Sequence, residues 1–289
     1  MSPTSIWTRG SATSKVIRSL LVWPLAAAGL ALLVTLVFLA IAPHLFTRAD
    51  PVRLSLGERL RPPSSAHPFG TDDFGRDILT RVIYGTRISL GSGVAVIASS
   101  ILWGGVVGTL AGFRGGWSDE LLMRVTDMFM AFPPILLAMA VVIVLRPGSL
   151  NTTLALIVVW WPAYARLLRA QVLAIRERAY VEAATALGAR PRRIILRHVL
   201  PNAFAPILVQ ATMDMGYVVL AAAGLGFLGL GAQPPAPEWG KMVSDGRRYF
   251  LEAWWFPVFP GTAIAATVLA FNLIGDDLRD WLDPRSRPF

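Results

Sequence analysis

Few residues in this 289-residue chain have types and spacings that could do chemistry, and most of those patterns exclude more than they offer. Cysteine is absent, which removes disulfides and cysteine-ligated zinc or iron–sulfur centres. The three histidines, His44, His67 and His198, are scattered and form no metal-binding pair at helical spacing. Asp72, Asp73 and Asp77 cluster, but not with the spacing of a calcium loop; helix capping and pairing with nearby arginine is the preferred reading. Gly224-Leu-Gly-Phe-Leu-Gly229 fits a dinucleotide-binding pattern, yet it closes an apolar helix with no strand before it, so the match is accidental. No G-x-x-x-x-G-K-[S/T] loop occurs, so the chain carries no phosphate-binding loop of its own. Asp214 is the one acid inside a long apolar run, where a carboxylate is costly and marks either a pathway for a polar solute or a hydrogen bond between helices. Met213 and Met215 beside it read as lipid or core contacts. An intramembrane enzyme would need a second acid, or a nucleophile and a base, at comparable depth; the sequence supplies neither, so no catalytic or metal site is assigned.

These residues sit in a chain whose composition is that of a membrane protein. Hydrophobic residues make up 54% and charged residues 16%, against roughly 25% charged in a soluble domain. Mean hydropathy is +0.55. Apolar runs predict about six transmembrane helices: 20–42, 88–113, 128–145, 150–165 with Pro162 inside it, 203–223 and 253–275. The first is too long, and lacks the cleavage site, for a removed signal peptide. The expected organisation is therefore a tail over 1–19, the first helix over 20–42 and an extramembrane segment over 43–87. A five-helix core follows over 88–275, then a second tail over 276–289. The 43–87 segment is Pro-rich at first. After Thr71-Asp72-Asp73 it reads as an interfacial amphipathic helix, with Ile78, Leu79, Val82 and Ile83 on one face and Arg76, Thr80 and Arg81 opposite. Gly104, Gly108 and Gly112 recur every fourth residue, the spacing that lets two helices approach closely.

The net charge of +9 is carried by arginines in loops between apolar runs, not by a nucleic-acid-reading module. Segment 166–202 holds eight arginines against Glu177 and Glu182, which makes it cytoplasmic by the positive-inside rule. Six spans then place both termini on the same side. Within the segment, good helix formers lead to Leu187, and Gly188 suits the left-handed turn that ends a helix. Pro191 suits the first turn of a second helix, Ile194, Ile195 and Val199 give it an apolar stripe, and Leu200-Pro201 closes it. Ala183, Ala184 and Ala186 leave room for a partner surface. Two readings stand at this point: a docking helix–turn–helix, or a basic loop that holds orientation and anionic lipid.

The same residues carry a resemblance. Glu182-Ala183-Ala184, Gly188 and Leu200-Pro201 resemble the EAA motif of ABC importer permeases, in which this stretch forms coupling helices; His198 stands where the motif has isoleucine. The stretches 67–90, 226–240 and 272–284 are similar to the dipeptide/oligopeptide/nickel permeases, specifically the C member of the permease pair. The resemblance implies an all-α integral membrane protein with the type I importer permease fold, in a bacterial inner membrane, forming half of a pathway for di- and oligopeptides; nickel, glutathione or another small solute is the alternative cargo. It implies four kinds of partner: a homologous second permease, two ATPase subunits, an extracytoplasmic substrate-binding protein and membrane lipid. ATP and Mg would be used by the ATPases, with no cofactor on this chain. Glu182, Ala183, Ala184, Gly188, Leu200 and Pro201 would couple to the ATPases, Glu182 through charge-assisted hydrogen bonds, and Asp214 is the candidate pathway residue. A secondary transporter working alone is the competing class, but the repeats and broken helices expected of one are not evident.

Overall fold

The structure is a computed structural model that describes residues 24–282. The tail expected over 1–19, the first residues of the span expected from 20, and the end of the second tail lie outside those residues. Ten α-helices connect two ends of the described chain: α1 Pro24–Ile41, α2 Ile78–Arg114, α3 Gly116–Met130, α4 Pro134–Leu145, α5 Ser149–Arg176, α6 Ala179–Ala186, α7 Pro191–Ile194, α8 Leu200–Phe227, α9 Trp239–Gly246 and α10 Trp255–Leu282.

Six times the chain passes between an arginine-rich end and the opposite end, through α1, α2, α3 with α4, α5, α8 and α10. Four of these traverses are helices long and apolar enough to cross a membrane, or five if the bent pair α3–α4 is one span. The remaining one, α5, is 28 residues long, about 42 Å at 1.5 Å per residue. It falls short only on hydropathy, because Asn151, Trp160, Trp161, Pro162, Tyr164 and Arg166 lie along it.

Several boundaries differ from expectation, each for a local reason. No separate interfacial helix precedes the second span: Asp77 caps the chain by accepting from Thr80 N at 2.8 Å, and one 37-residue helix, α2, then runs unbroken to Arg114. Arg81, expected on an outward face, is only 3% exposed; its Nη1 donates to Pro51 O at 2.8 Å and its Nε lies 3.6 Å from Asp72. The third span is broken, with α3 and α4 meeting at 87°. Pro133 there is extended because it precedes Pro134, as steric contact with a following proline ring requires. The fourth span continues as α5 to Arg176, so the loop after it is correspondingly shorter. Leu200-Pro201 closes nothing. Residues Ile195–Val199 form a π-helical stretch that leads straight into α8, with Leu200 N–H donating to Ile195 O. Asn202 Nδ2 donates to the His198 carbonyl at 2.6 Å beside Pro201. The last helix does not stop at 275 but continues through residues expected in the tail, to Leu282.

The most extensive contact in the bundle is α2 against α5. Gly104, Gly108 and Gly112 form its α2 side, as their spacing implied: a Cβ on Gly104 or Gly108 would collide with the carbonyl oxygens of Trp161 and Ala165, and one on Gly112 would lie 3.0 Å from Arg169 O. Tyr164, Leu168, Val172 and Ile175, all fully buried, form the α5 side. At the other end of the bundle, the 43–77 segment packs on the start of α10, with Phe69 stacked on Phe259 at 3.9 Å and Trp255 Nε1 donating to Thr71 O at 3.3 Å. Trp239, wholly buried, donates to Val82 O at 2.9 Å and ties α9 to α2.

Candidate functional site

The candidate coupling residues lie at the arginine-rich end. α6 begins after Arg178 and ends in a Schellman turn, in which Gly188 N–H donates to Thr185 O at 2.9 Å and Ala189 N–H to Ala184 O at 3.0 Å. Gly188 has φ +79°, a conformation that costs any residue with a Cβ about 1–2 kcal/mol. Pro191 starts α7 at its first turn, where its missing N–H has no bond to lose. Val181 and Ile194 are buried and hold the two short helices down, and the Tyr180 and His198 rings lie 6.0 Å apart. Glu182, Ala183 and Gly188 are left exposed and Ala184 partly so, which forms one shelf; Leu200 and Pro201 sit beyond the π stretch at the start of α8. Leu187 projects from the same shelf at 88% exposure, a large apolar side chain with nothing covering it.

Sequence reading missed the ion pairs that anchor this end. Arg169 makes a bidentate pair with Asp119, Nε to Oδ1 at 2.5 Å and Nη2 to Oδ2 at 2.6 Å, and Arg166 reaches Asp127 at 2.6 Å. Both tie α5 to α3. Arg176 donates to the carbonyls of Gly112 and Phe113 at the C-terminus of α2. Three of the eight arginines counted as loop charge are therefore bonded within the bundle. Their partners lie 39 to 64 residues away, so no local pattern could have revealed them.

Asp214 is buried in α8, 9% exposed, away from that shelf. Gln210 Nε2 donates to its Oδ1 at 3.0 Å, while Oδ2 has no hydrogen-bond partner. Tyr164 of α5 lies beside it and interacts electrostatically, yet the Tyr164 hydroxyl also lacks a partner in hydrogen-bonding geometry. Of the dinucleotide-like glycines, Gly229, at φ +82°, ends α8, with Leu230 N–H donating to Leu225 O.

The opposite end concentrates charge. Asp72, fully buried, accepts from the backbone N–H of Phe74 and Arg76 and from Arg76 Nε at 2.6 Å, so capping and arginine pairing account for Asp72 and Asp77. Burial, reinforced by the neighbouring Asp72, pushes the Asp73 carboxyl above its ordinary value. Glu238 is also pushed up by burial, although the backbone N–H groups of Gly240 and Lys241 donate to it at 2.8 and 2.9 Å and make it the cap of α9.

Over residues 104–288 the sequence matches the family described as binding-protein-dependent transport system inner membrane component. The dipeptide transport system permease protein DppC of Alkalihalophilus pseudofirmus is 46% identical over 263 residues, covering 91% of this chain and 86% of the relative. The probable D,D-dipeptide transport system permease protein DdpC of Escherichia coli is 42% identical over 271 residues, 92% and 91% of the two chains. The glutathione transport system permease protein GsiD of Pectobacterium atrosepticum is 46% identical over 223 residues, 77% and 74% of the two chains. Among solved structures, an inward-facing MetNI methionine ABC transporter chain superposes with a TM-score of 0.58 at 20% identity, covering 70% of this chain and 96% of that chain, a likeness of fold.

Proposed function

The chain belongs to the family of binding-protein-dependent transport system inner membrane components, and from that premise we propose that it is one permease subunit of an ATP-driven importer of di- and oligopeptides. The observation that carries the cargo is identity above 40% along nine-tenths of the chain to permeases of dipeptide systems. The glutathione relative supports a second reading, in which the cargo is that modified tripeptide. In this function the protein catalyses no reaction. It lies in the bacterial inner membrane with both termini and the arginine-rich end in the cytoplasm, in keeping with the positive-inside rule. A homologous second permease completes the pathway, two ATPase subunits use ATP and Mg, and an extracytoplasmic binding protein delivers solute to the opposite end.

Coupling runs through the shelf of Glu182, Ala183, Ala184 and Gly188, and through Leu200 and Pro201 where the segment joins α8. Its support is geometric: small exposed side chains, a carboxylate without a partner among the described residues on the same surface, and a turn fixed by two backbone hydrogen bonds. Asp214 enters as a pathway residue on the strength of its unpartnered Oδ2.

The test is uptake of labelled dipeptide, with glutathione and nickel in parallel, in cells lacking the gene and in the same cells with it restored. ATP-dependent dipeptide uptake that returns with the gene is the expected result. Restoration of glutathione uptake alone would move the cargo to the second reading, and restoration of none of the three would overturn both.

A further inference from the structure

A cavity of about 500 Å³ opens at the end opposite the arginine-rich shelf, between the 73–81 stretch and the walls formed by Pro234, Pro235 and α9. Its volume is that of a small-molecule site, which runs roughly 300–1,000 Å³. Six charged side chains line it: Asp73, Arg76, Arg81, Lys241, Asp245 and Arg248. Two of them are neutralised within the wall, Arg76 by Asp72 beneath it and Lys241 by Asp245. Arg81 shares Asp72, which lies 3.6 Å from its Nε, and its Nη1 donates to the carbonyls of Pro51 and Pro235, so one carboxylate faces two guanidiniums. Asp73 makes no ion pair among the described residues, and its Oδ1 is buried with no hydrogen-bond partner, as is Arg81 Nε. Arg248, exposed at the rim, makes no hydrogen bond or ion pair among the described residues. A buried polar atom without a partner is costly and is normally satisfied by something.

We infer that this cavity is a subsite for a zwitterionic solute, holding an ammonium group against Asp73 and a carboxylate against Arg81 and Arg248. The inference rests on the reading of the chain as a permease for peptides, whose free termini supply that pair of charges. A docked protein surface fits less well, because Asp73 and Arg81 line a cavity of about 500 Å³ and not an open face. The Asp73 carboxyl is pushed up by burial and by Asp72 and Asp245, against the pull of Arg76, and a solute ammonium would offset that repulsion.

The experiment measures binding of alanyl-alanine to the full chain, assembled with its partner subunits in lipid nanodiscs and without the binding protein. N-acetyl-alanyl-alanine and alanyl-alanine amide serve as the probes with one charge removed. Asp73→Asn should weaken alanyl-alanine binding about tenfold, the loss of one charge-assisted contact, and leave binding of the N-acetyl peptide unchanged. Arg248→Gln should weaken alanyl-alanine binding and leave binding of the amide unchanged. Neither residue has an internal bond to lose at the atoms concerned, so both variants should fold, which thermal unfolding checks. The site is refuted if the wild-type assembly binds no alanyl-alanine, if neither substitution changes binding, or if both weaken free and blocked peptides alike. It is equally refuted if the substitutions impair only docking of the loaded binding protein. Dipeptide uptake in cells with no binding here would sink this inference and leave the importer reading standing; binding here without uptake would do the reverse.

Discussion

Replacing Gly188 tests the coupling turn more sharply than any other single change. Its φ of +79° is natural to glycine, and an added Cβ would meet no atom within 4 Å, so the cost of a substitution is backbone strain with no clash mixed in. For alanine that cost is about 1–2 kcal/mol, which shifts the balance between intact and opened turn about 5- to 30-fold toward the opened form at 1.4 kcal/mol per factor of ten. Valine, β-branched, should cost more, and asparagine, which tolerates the left-handed region, much less. If the turn opens, the bonds from Gly188 N–H to Thr185 O and from Ala189 N–H to Ala184 O go with it. The expected order for ATPase-subunit affinity is therefore Gly, then Asn, then Ala, then Val, measured by titrating purified ATPase onto the permease in nanodiscs. Amide hydrogen exchange at 187–189 in the permease without its ATPases should follow the same order. Wild-type affinity for Gly188→Val, or equal losses for Asn and Val, would refute the argument that the turn's conformation sets the docking surface.

Gly108→Leu should destabilise the protein by about 1–3 kcal/mol or more through overpacking against Ala165, whereas Gly105→Leu, with nothing within 4 Å of its Cβ, should stay within about 0.5 kcal/mol of wild type in thermal unfolding. Equal effects at the two positions would mean that the α2–α5 contact is not the one described. Asp73 gives a pH dependence. Its folded-state carboxyl is raised above the ordinary 3.8, so its contribution to stability is full below that value and is lost as pH rises through the raised one. Asp73→Asn should accordingly melt higher than wild type at neutral pH, with the gap closing below the ordinary value; a variant that melts lower at neutral pH would show that the carboxylate is paired after all. Asp214→Asn keeps an acceptor for Gln210, so assembly should persist; a fall in transport marks a pathway residue, and unchanged transport leaves Asp214 as a contact between helices.

Local features were readable from sequence wherever a short stretch decides the outcome. The Gly188 turn, the Pro191 start of α7 and the glycine stripe all follow from one residue's backbone preference or from spacing within one helix, whereas the cap expected at Thr71-Asp72-Asp73 falls at Asp77. Span edges are less legible, because a charge in the sequence reads as the mark of an interface. Arg81 breaks that rule: Asp72 pairs with it and the carbonyls of Pro51 and Pro235 accept from its Nη1, so the helix runs on past it. Pro201 breaks another, since the π stretch before it carries the chain into α8 without a stop. The charged cavity was out of reach of any such reading. Its walls come from positions around 54–81 and 234–248, and only the fold brings Asp73, Arg81 and Arg248 to one space.

The contacts also say how a push on the shelf would travel in the proposed coupling role. α6 hangs from the end of α5, while α7 and the π stretch run without a break into α8. α5 is bound to α2 along the glycine stripe and to α3 through the Arg169–Asp119 and Arg166–Asp127 pairs, so these three helices form one body. α8 meets α10 more extensively than it meets either α2 or α5 singly. A closing ATPase pair that displaces α6 and α7 together would therefore act across the seam between the α2–α3–α5 body and the α8–α10 pair. Asp214 and Tyr164 face each other across that seam, one on each body. If the two sides slide in the proposed role, this contact would have to shift with them, and Asp214 Oδ2 and the Tyr164 hydroxyl hold no other hydrogen bond that would resist it.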